Sequence, residues 1–135
     1  LSGPGESPKS AWRRWLLPAG FALAIVAESS QSAVTVPSGI WNGDKLVHFL
    51  AFGLLGTVIL RALRIERPWR RALVAAAIVS LFGASDELHQ SFTPGRSCDV
   101  FDWVADTLGA ATAAAAYLWW PAYRRLLELR LGRRR

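Results

Sequence analysis

Between Asp86 and Asp106 the chain sets five acids (Asp86, Glu87, Asp99, Asp102, Asp106) beside His89, Gln90 and Arg96, all within 21 residues. A second polar knot, Asp44, Lys45 and His48, stands upstream. Both knots border apolar, alanine-rich runs, where ionisable groups are costly unless they pair, reach water or work. Three chemistries suit these residue types. Arg96 with Lys45 and His48 could bind an anionic head group, because a guanidinium forks well onto phosphate or carboxylate. The carboxylates could hold Mg²⁺ or Ca²⁺, which take oxygen ligands, and a phosphate could bridge to that divalent cation. Glu87 and His48 could serve as general base and acid in a hydrolytic step. No spacing here is a specific metal or catalytic signature, and no metal-ligand set is singled out.

Each group also has a structural role open to it. Asp99 and Asp102 suit a helix N-terminus, where the dipole favours negative charge. Asp86 reads as solvated at a membrane interface. His48 lies four residues after Asp44, on the same helix face, and a His48–Asp44 pair would satisfy it. Arg96 paired with Glu87 or Asp102 would staple the loop onto a bundle. Asp99, Asp102 and Asp106 fall at i, i+3 and i+7 and share one helix face. His48 and Asp106 lie deepest and are the hardest to explain by snorkelling to water. Cys98 is the sole cysteine, which excludes an internal disulfide and a cysteine-rich zinc site. It reads as solvent-facing, with no orienting partner that would make it a nucleophile.

The elements that must position these residues are helices. A chain of 135 residues with 52% hydrophobic and 19% charged residues fits one domain with a membrane-like balance. Residues 1–11 read as a disordered, turn-forming tail, 12–123 as a four-helix membrane domain, and 124–135 as a basic tail. The first helix is centred on the apolar run from Trp15 to Ala27. Arg13-Arg14, that short run and Ala27-Glu28-Ser29 also have the layout of a signal peptide; the charge pattern favours an uncleaved helix. The second helix opens at Asp44 and runs to Leu60, with Gly53 and Gly56 offering a close-packing face. Pro68 breaks the basic turn that follows, and the third helix runs from Ala72 to about Leu88. Pro94-Gly95 marks a turn. The fourth helix carries Gly109 and Ala113 as a small-xxx-small pair and ends at Pro121.

Fourteen of the sixteen Lys and Arg fall in the N-terminal segment, the 61–71 turn and the C-terminal tail. With four alternating spans those segments share one side, which the positive-inside rule makes the cytoplasm. Lys45 and Arg96 fall on the other side with seven of the ten acids. All seven tryptophans lie at expected membrane boundaries. The expectation is an all-α integral membrane bundle of four transmembrane helices, N-in/C-in, with its polar site extracytoplasmic. The basic residues bracket apolar runs and lack the interleaved polar and aromatic residues of a nucleic-acid face, so no nucleic-acid partner is expected. The sequence leaves the oligomeric state open.

Two segments carry a resemblance. Asp44-Lys45-Leu-Val-His48-Phe49 resembles the D-K-x-x-H-F motif of VanZ-like proteins. Asp86-Glu87-Leu-His-Gln90-Ser-Phe92-Thr-Pro94-Gly95-Arg96, continued by Asp99, Asp102, Asp106 and Gly109, resembles that family's longer second motif. The family usually has asparagine where this chain has Asp106. The resemblance implies a small bacterial inner-membrane protein of the cell envelope, in a family named for a teicoplanin-resistance protein. It supplies a setting and no reaction. The leading expectation is recognition of an anionic envelope lipid or lipid-linked cell-wall precursor. Lys45 and Arg96 would contact the anion, Gln90, Asp99, Asp102 and Asp106 would complete the binding site, and Glu87 and His48 would be the catalytic pair if chemistry occurs. The alternative is a non-catalytic membrane assembly factor whose polar cluster orders the loop.

Overall fold

The computed structural model describes residues 11–31 and 43–127. The expected tail before Ala11, the loop residues 32–42 with Trp41, and the chain beyond Leu127 lie outside the described residues. Among the described residues a 3₁₀ turn at Arg13–Trp15 is followed by five helices: α1 (Leu16–Ser29), α2 (Gly43–Ala62), α3 (Pro68–Gln90), α4 (Val100–Trp119) and α5 (Pro121–Leu127). No strand occurs among the described residues.

Prolines place two helix starts differently from the sequence expectation. Pro68 opens α3, four residues before Ala72, after Arg67 in extended conformation (φ −76°, ψ 113°). Proline suits the first helical position, since its φ is already helical and the missing N–H has no intrahelical acceptor to serve. Pro121 likewise opens a helix, after Trp120 breaks the chain direction (φ −106°, ψ 99°). It therefore ends α4 and starts α5.

The spine of the bundle is the contact between α2 and α4, the most extensive in the fold. Gly53 faces the Gly109 backbone and Ala113, and Gly56 faces Ala110. A Cβ on Gly109 would collide with the Phe49 carbonyl, so only glycine allows this approach. The register rises together along both helices, which therefore run parallel. α3 runs antiparallel beside α4, as Ser80 bonds to Trp103 and Thr107 while Glu87 reaches Asp99. The apolar core of Phe52, Leu55, Leu60, Val79, Ala110 and Tyr117 fills the space below the polar residues.

Large apolar side chains cover much of the outside, including Leu46, Leu50, Leu73, Leu81 and Leu108. A coat of that kind suits an apolar solvent. α2 and α3 are long and apolar enough to cross a membrane. The polar and basic segments sit at opposite ends of the bundle. The start of α2, the end of α3 and the start of α4 meet at one end. At the other, Thr57 bonds to Tyr123 and Arg61 donates to the Leu127 carbonyl.

Candidate functional site

The polar end divides into two linked halves. In the half between α2 and α4, Lys45 sits in the first turn of α2 and its Nζ donates to Asp99 Oδ2 and Asp102 Oδ1, both at 2.8 Å. Asp99 is the N-cap of α4, and its Oδ1 accepts from the Phe101 N–H at 2.8 Å, the bond expected of an aspartate in that position. The Lys45 ammonium, followed by the Phe101 N–H, holds the Asp99 carboxyl below its usual range. One turn deeper, His48 Nδ1 and Asp106 Oδ1 are 2.9 Å apart. The ring stacks on Phe52 with centroids 5.8 Å apart and planes 7° from parallel. Glu87 crosses from α3 and accepts the Asp99 N–H on Oε2 at 2.8 Å.

The other half joins α1, α3 and the α3–α4 loop. Asp86 Oδ1 accepts from Ser29 Oγ at 2.6 Å and Oδ2 from Gln90 Nε2 at 2.9 Å. Arg96 folds back over the end of α1, with Nε donating to the Gln31 carbonyl at 3.1 Å and Nη2 to the Glu28 carbonyl at 3.2 Å. Those carbonyls lie at a helix C-terminus, where a cation is favoured. Nη1 reaches Gln90 Oε1 at 3.4 Å, and the Glu28 carboxylate stands 3.6 Å from Nη2. The Thr93-Pro94-Gly95-Arg96 turn aims the guanidinium: Arg96 N–H donates to the Thr93 carbonyl at 3.1 Å and Gly95 has φ 80°. That φ is the third position of a type II turn, where glycine belongs.

A cavity of about 310 Å³ opens between α1 and α2. Its polar end is formed by His48, Asp86, Gln90 and Arg96, and its apolar walls by Phe21, Ile25, Val47, Ala51, Phe52 and Leu54. Glu87 Oε1 and Asp106 Oδ2 are buried and have no hydrogen-bond partner among the described residues. His48, Glu87 and Asp102 each offer a donor atom within 4.8 Å of the others. The arrangement can therefore receive an amphiphile at the cavity, hold a cation among the acids, or pass a proton between His48 and a bound group.

The expected residues sort between the halves. Lys45, His48, Glu87, Asp99, Asp102 and Asp106 come together, while Gln90 and Arg96 belong to the other half. Lys45 is bonded to Asp99 and Asp102 in one half, and Arg96 to Gln31, Gln90 and Glu28 in the other. His48 pairs with Asp106 and not with Asp44, whose contact is Lys45 at 3.5 Å. Arg96 pairs with Glu28 rather than with Glu87 or Asp102. Asp86, read as solvated, is only 3% exposed. Ser29, its partner from α1, carried no signal in the sequence. Gln90, four residues after Asp86 on the same helix, bonds to it, a pairing the sequence reading did not anticipate. His89 meets Ser30 at 3.0 Å, and Cys98 is free and exposed as expected.

Comparison with known proteins places the chain. The VanZ/LLP1 family model matches residues 6–121. An uncharacterized protein of the fission yeast Schizosaccharomyces pombe is 34% identical over 125 residues, covering 91% of this chain and 74% of the yeast protein. No solved structure matches.

Proposed function

The chain belongs to the VanZ/LLP1 family, and from that premise we propose that it binds an anionic membrane lipid through the cavity between α1 and α2. The favoured ligand is a polyprenyl phosphate or a lipid-linked cell-wall precursor. The observation that carries this reading is the cavity's make-up: an apolar trough that ends at Arg96 and His48. A prenyl or acyl chain would lie along Phe21, Ile25, Val47 and Leu54, and the head group would meet the guanidinium. Arg96 has donors to spare. A guanidinium offers five N–H groups, and its three nitrogens each make one protein hydrogen bond. The Glu28 carboxylate beside it is 71% exposed, so a phosphate can displace it at little cost.

In this reading the protein spans the membrane four times with both termini on the cytoplasmic side. The polar end then faces outward, in the inner membrane of a bacterium. The charge asymmetry between the two ends of the bundle supports that orientation. The reading depends on head-group chemistry rather than on organism, and the yeast relative is fungal. A role in teicoplanin susceptibility would follow where the bound lipid feeds cell-wall synthesis. The test is native mass spectrometry of protein gently released from its own membrane, beside Arg96→Ala. A phosphorylated lipid on the parent and absent from the folded variant supports the site; no parent-specific lipid contradicts it.

A second reading, an assembly factor with a structural cluster, draws on Arg96 tying the loop to the C-terminal carbonyls of α1. It predicts that Arg96→Ala loosens the loop and lowers stability, with no lipid difference between the two proteins.

A further inference from the structure

The cavity does not use the deepest acids of the polar end. Among the described residues Lys45 is the one lysine or arginine paired with the group formed by Glu87, Asp99, Asp102 and Asp106, and His48 meets Asp106. Asp106 is fully buried and Glu87 is 3% exposed. Buried carboxylates need a counter-charge or a donor for each oxygen. Here Glu87 Oε1 is buried with no hydrogen-bond partner among the described residues. Its other oxygen is fixed by the Asp99 N–H, so the carboxylate is held in place with one oxygen left to give.

We infer that His48, Glu87 and Asp102 form a divalent-cation site at the meeting point of α2, α3 and α4. Their donor atoms lie within 4.8 Å of one another. Ligands at about 2.0–2.2 Å from a metal sit roughly 3–3.5 Å apart, so a small rotamer adjustment closes the set. Lys45 takes one oxygen of Asp102 and leaves the second.

Asp106 supplies the supporting contact. A metal-bound histidine usually gives its other ring nitrogen to a carboxylate, which fixes tautomer and orientation. Asp106 Oδ1 holds His48 Nδ1 at 2.9 Å, Phe52 stacks on the ring, and Nε2 is the nitrogen that remains to bind. One imidazole with two carboxylates selects a first-row transition cation, such as Zn²⁺, Mn²⁺ or Co²⁺, over Ca²⁺ and Mg²⁺, whose sites are built from oxygen. The site shares His48 with the cavity but draws on neither Arg96 nor the apolar walls, so loss of lipid binding and loss of metal binding can be told apart.

The experiment is a Co²⁺ titration of the full chain in detergent after exhaustive chelation, followed by absorption and by metal content after gel filtration. One Co²⁺ per chain with ligand-field bands, displaced by Zn²⁺ and not by Mg²⁺, is the expected result. Glu87→Gln and Asp102→Asn each remove a ligand and should abolish the bands. Asp106→Asn should weaken Co²⁺ binding by about 10–100-fold. Asp44→Asn, at the exposed acid outside the set, should leave binding unchanged. Where Glu87→Gln fails to fold, Asp102→Asn decides. A folded parent that binds no stoichiometric Co²⁺ overturns the inference, as does a folded Asp102→Asn with parental affinity.

Discussion

Asp106 is seated directly against Gly83: a Cβ placed on that glycine would come 2.8 Å from Asp106 Oδ2 and 3.2 Å from its Cβ. The Asp106 carboxylate therefore occupies space that any larger residue on α3 would claim. Its other oxygen is tied to His48, so it cannot swing aside without breaking that bond. Gly83→Ala should cost roughly 1–3 kcal/mol, the usual range for overpacking a buried site. A double-mutant cycle with Asp106→Ala, read by thermal unfolding in detergent, should show marked non-additivity. Additive effects would mean that the two residues do not share the space.

The close approach of α2 to α4 makes a second prediction. Gly109→Ala sets a methyl against the Phe49 carbonyl, and a backbone atom has no rotamer to yield. The substitution should cost about 3 kcal/mol or prevent assembly of the bundle. Gly20, in α1, has nothing within 4 Å of its Cβ position. Gly20→Ala should be neutral, or stabilising by up to about 1 kcal/mol through helix propensity. Expression level and unfolding temperature of the two variants check the contrast.

Acid should act on the α4 cap. Asp99 is held below its ordinary value of 3.8 by Lys45 and by the Phe101 N–H. A depressed carboxylate contributes stability that is fully present above its unfolded value and lost as pH falls through the folded one. The unfolding temperature of the parent should therefore exceed that of Asp99→Asn at pH 7, and the gap should close below about pH 4. A gap of the same size at pH 3 would contradict the ion-pair account of this residue.

Much of this architecture could be read from the chain. The clustering of charge at two ends, the glycines at Gly53, Gly56 and Gly109, the Pro94-Gly95 turn and the Asp99 cap all follow from local rules that the fold obeys. Pairings between helices were less legible. Asp44 looked like the partner of His48 because i, i+4 spacing is visible along one helix. Asp106 wins because α2 and α4 approach so closely at Gly109 that the two side chains meet across the interface. Arg96 was expected to seek an acid, yet the turn carries it to the end of α1. The carbonyls there needed donors, and nothing in the linear order announces such a meeting. Asp86 was misread for the same reason, since its burial depends on Ser29 from a helix 57 residues away.

The cavity walls offer a test that leaves the polar groups intact. Ala24 lines the cavity on an exposed stretch of α1, so a larger side chain there has room outside the core. Ala24→Trp should lower retention of a copurified lipid several-fold while the unfolding free energy of the lipid-free protein stays within about 0.5 kcal/mol of the parent. Equal lipid retention would move the ligand away from this trough.

The most direct measurement compares a short-chain polyprenyl phosphate with the corresponding alcohol, binding to the protein in nanodiscs, for the parent and Arg96→Ala. A hydrogen bond to a charged group is worth about 1.5–3 kcal/mol, so the phosphate should bind the parent at least about tenfold more tightly. That preference should vanish in Arg96→Ala, with both proteins folded. Equal affinities for phosphate and alcohol in the parent, or an undiminished preference without the guanidinium, would contradict the claim that this membrane-end cavity reads an anionic lipid head group.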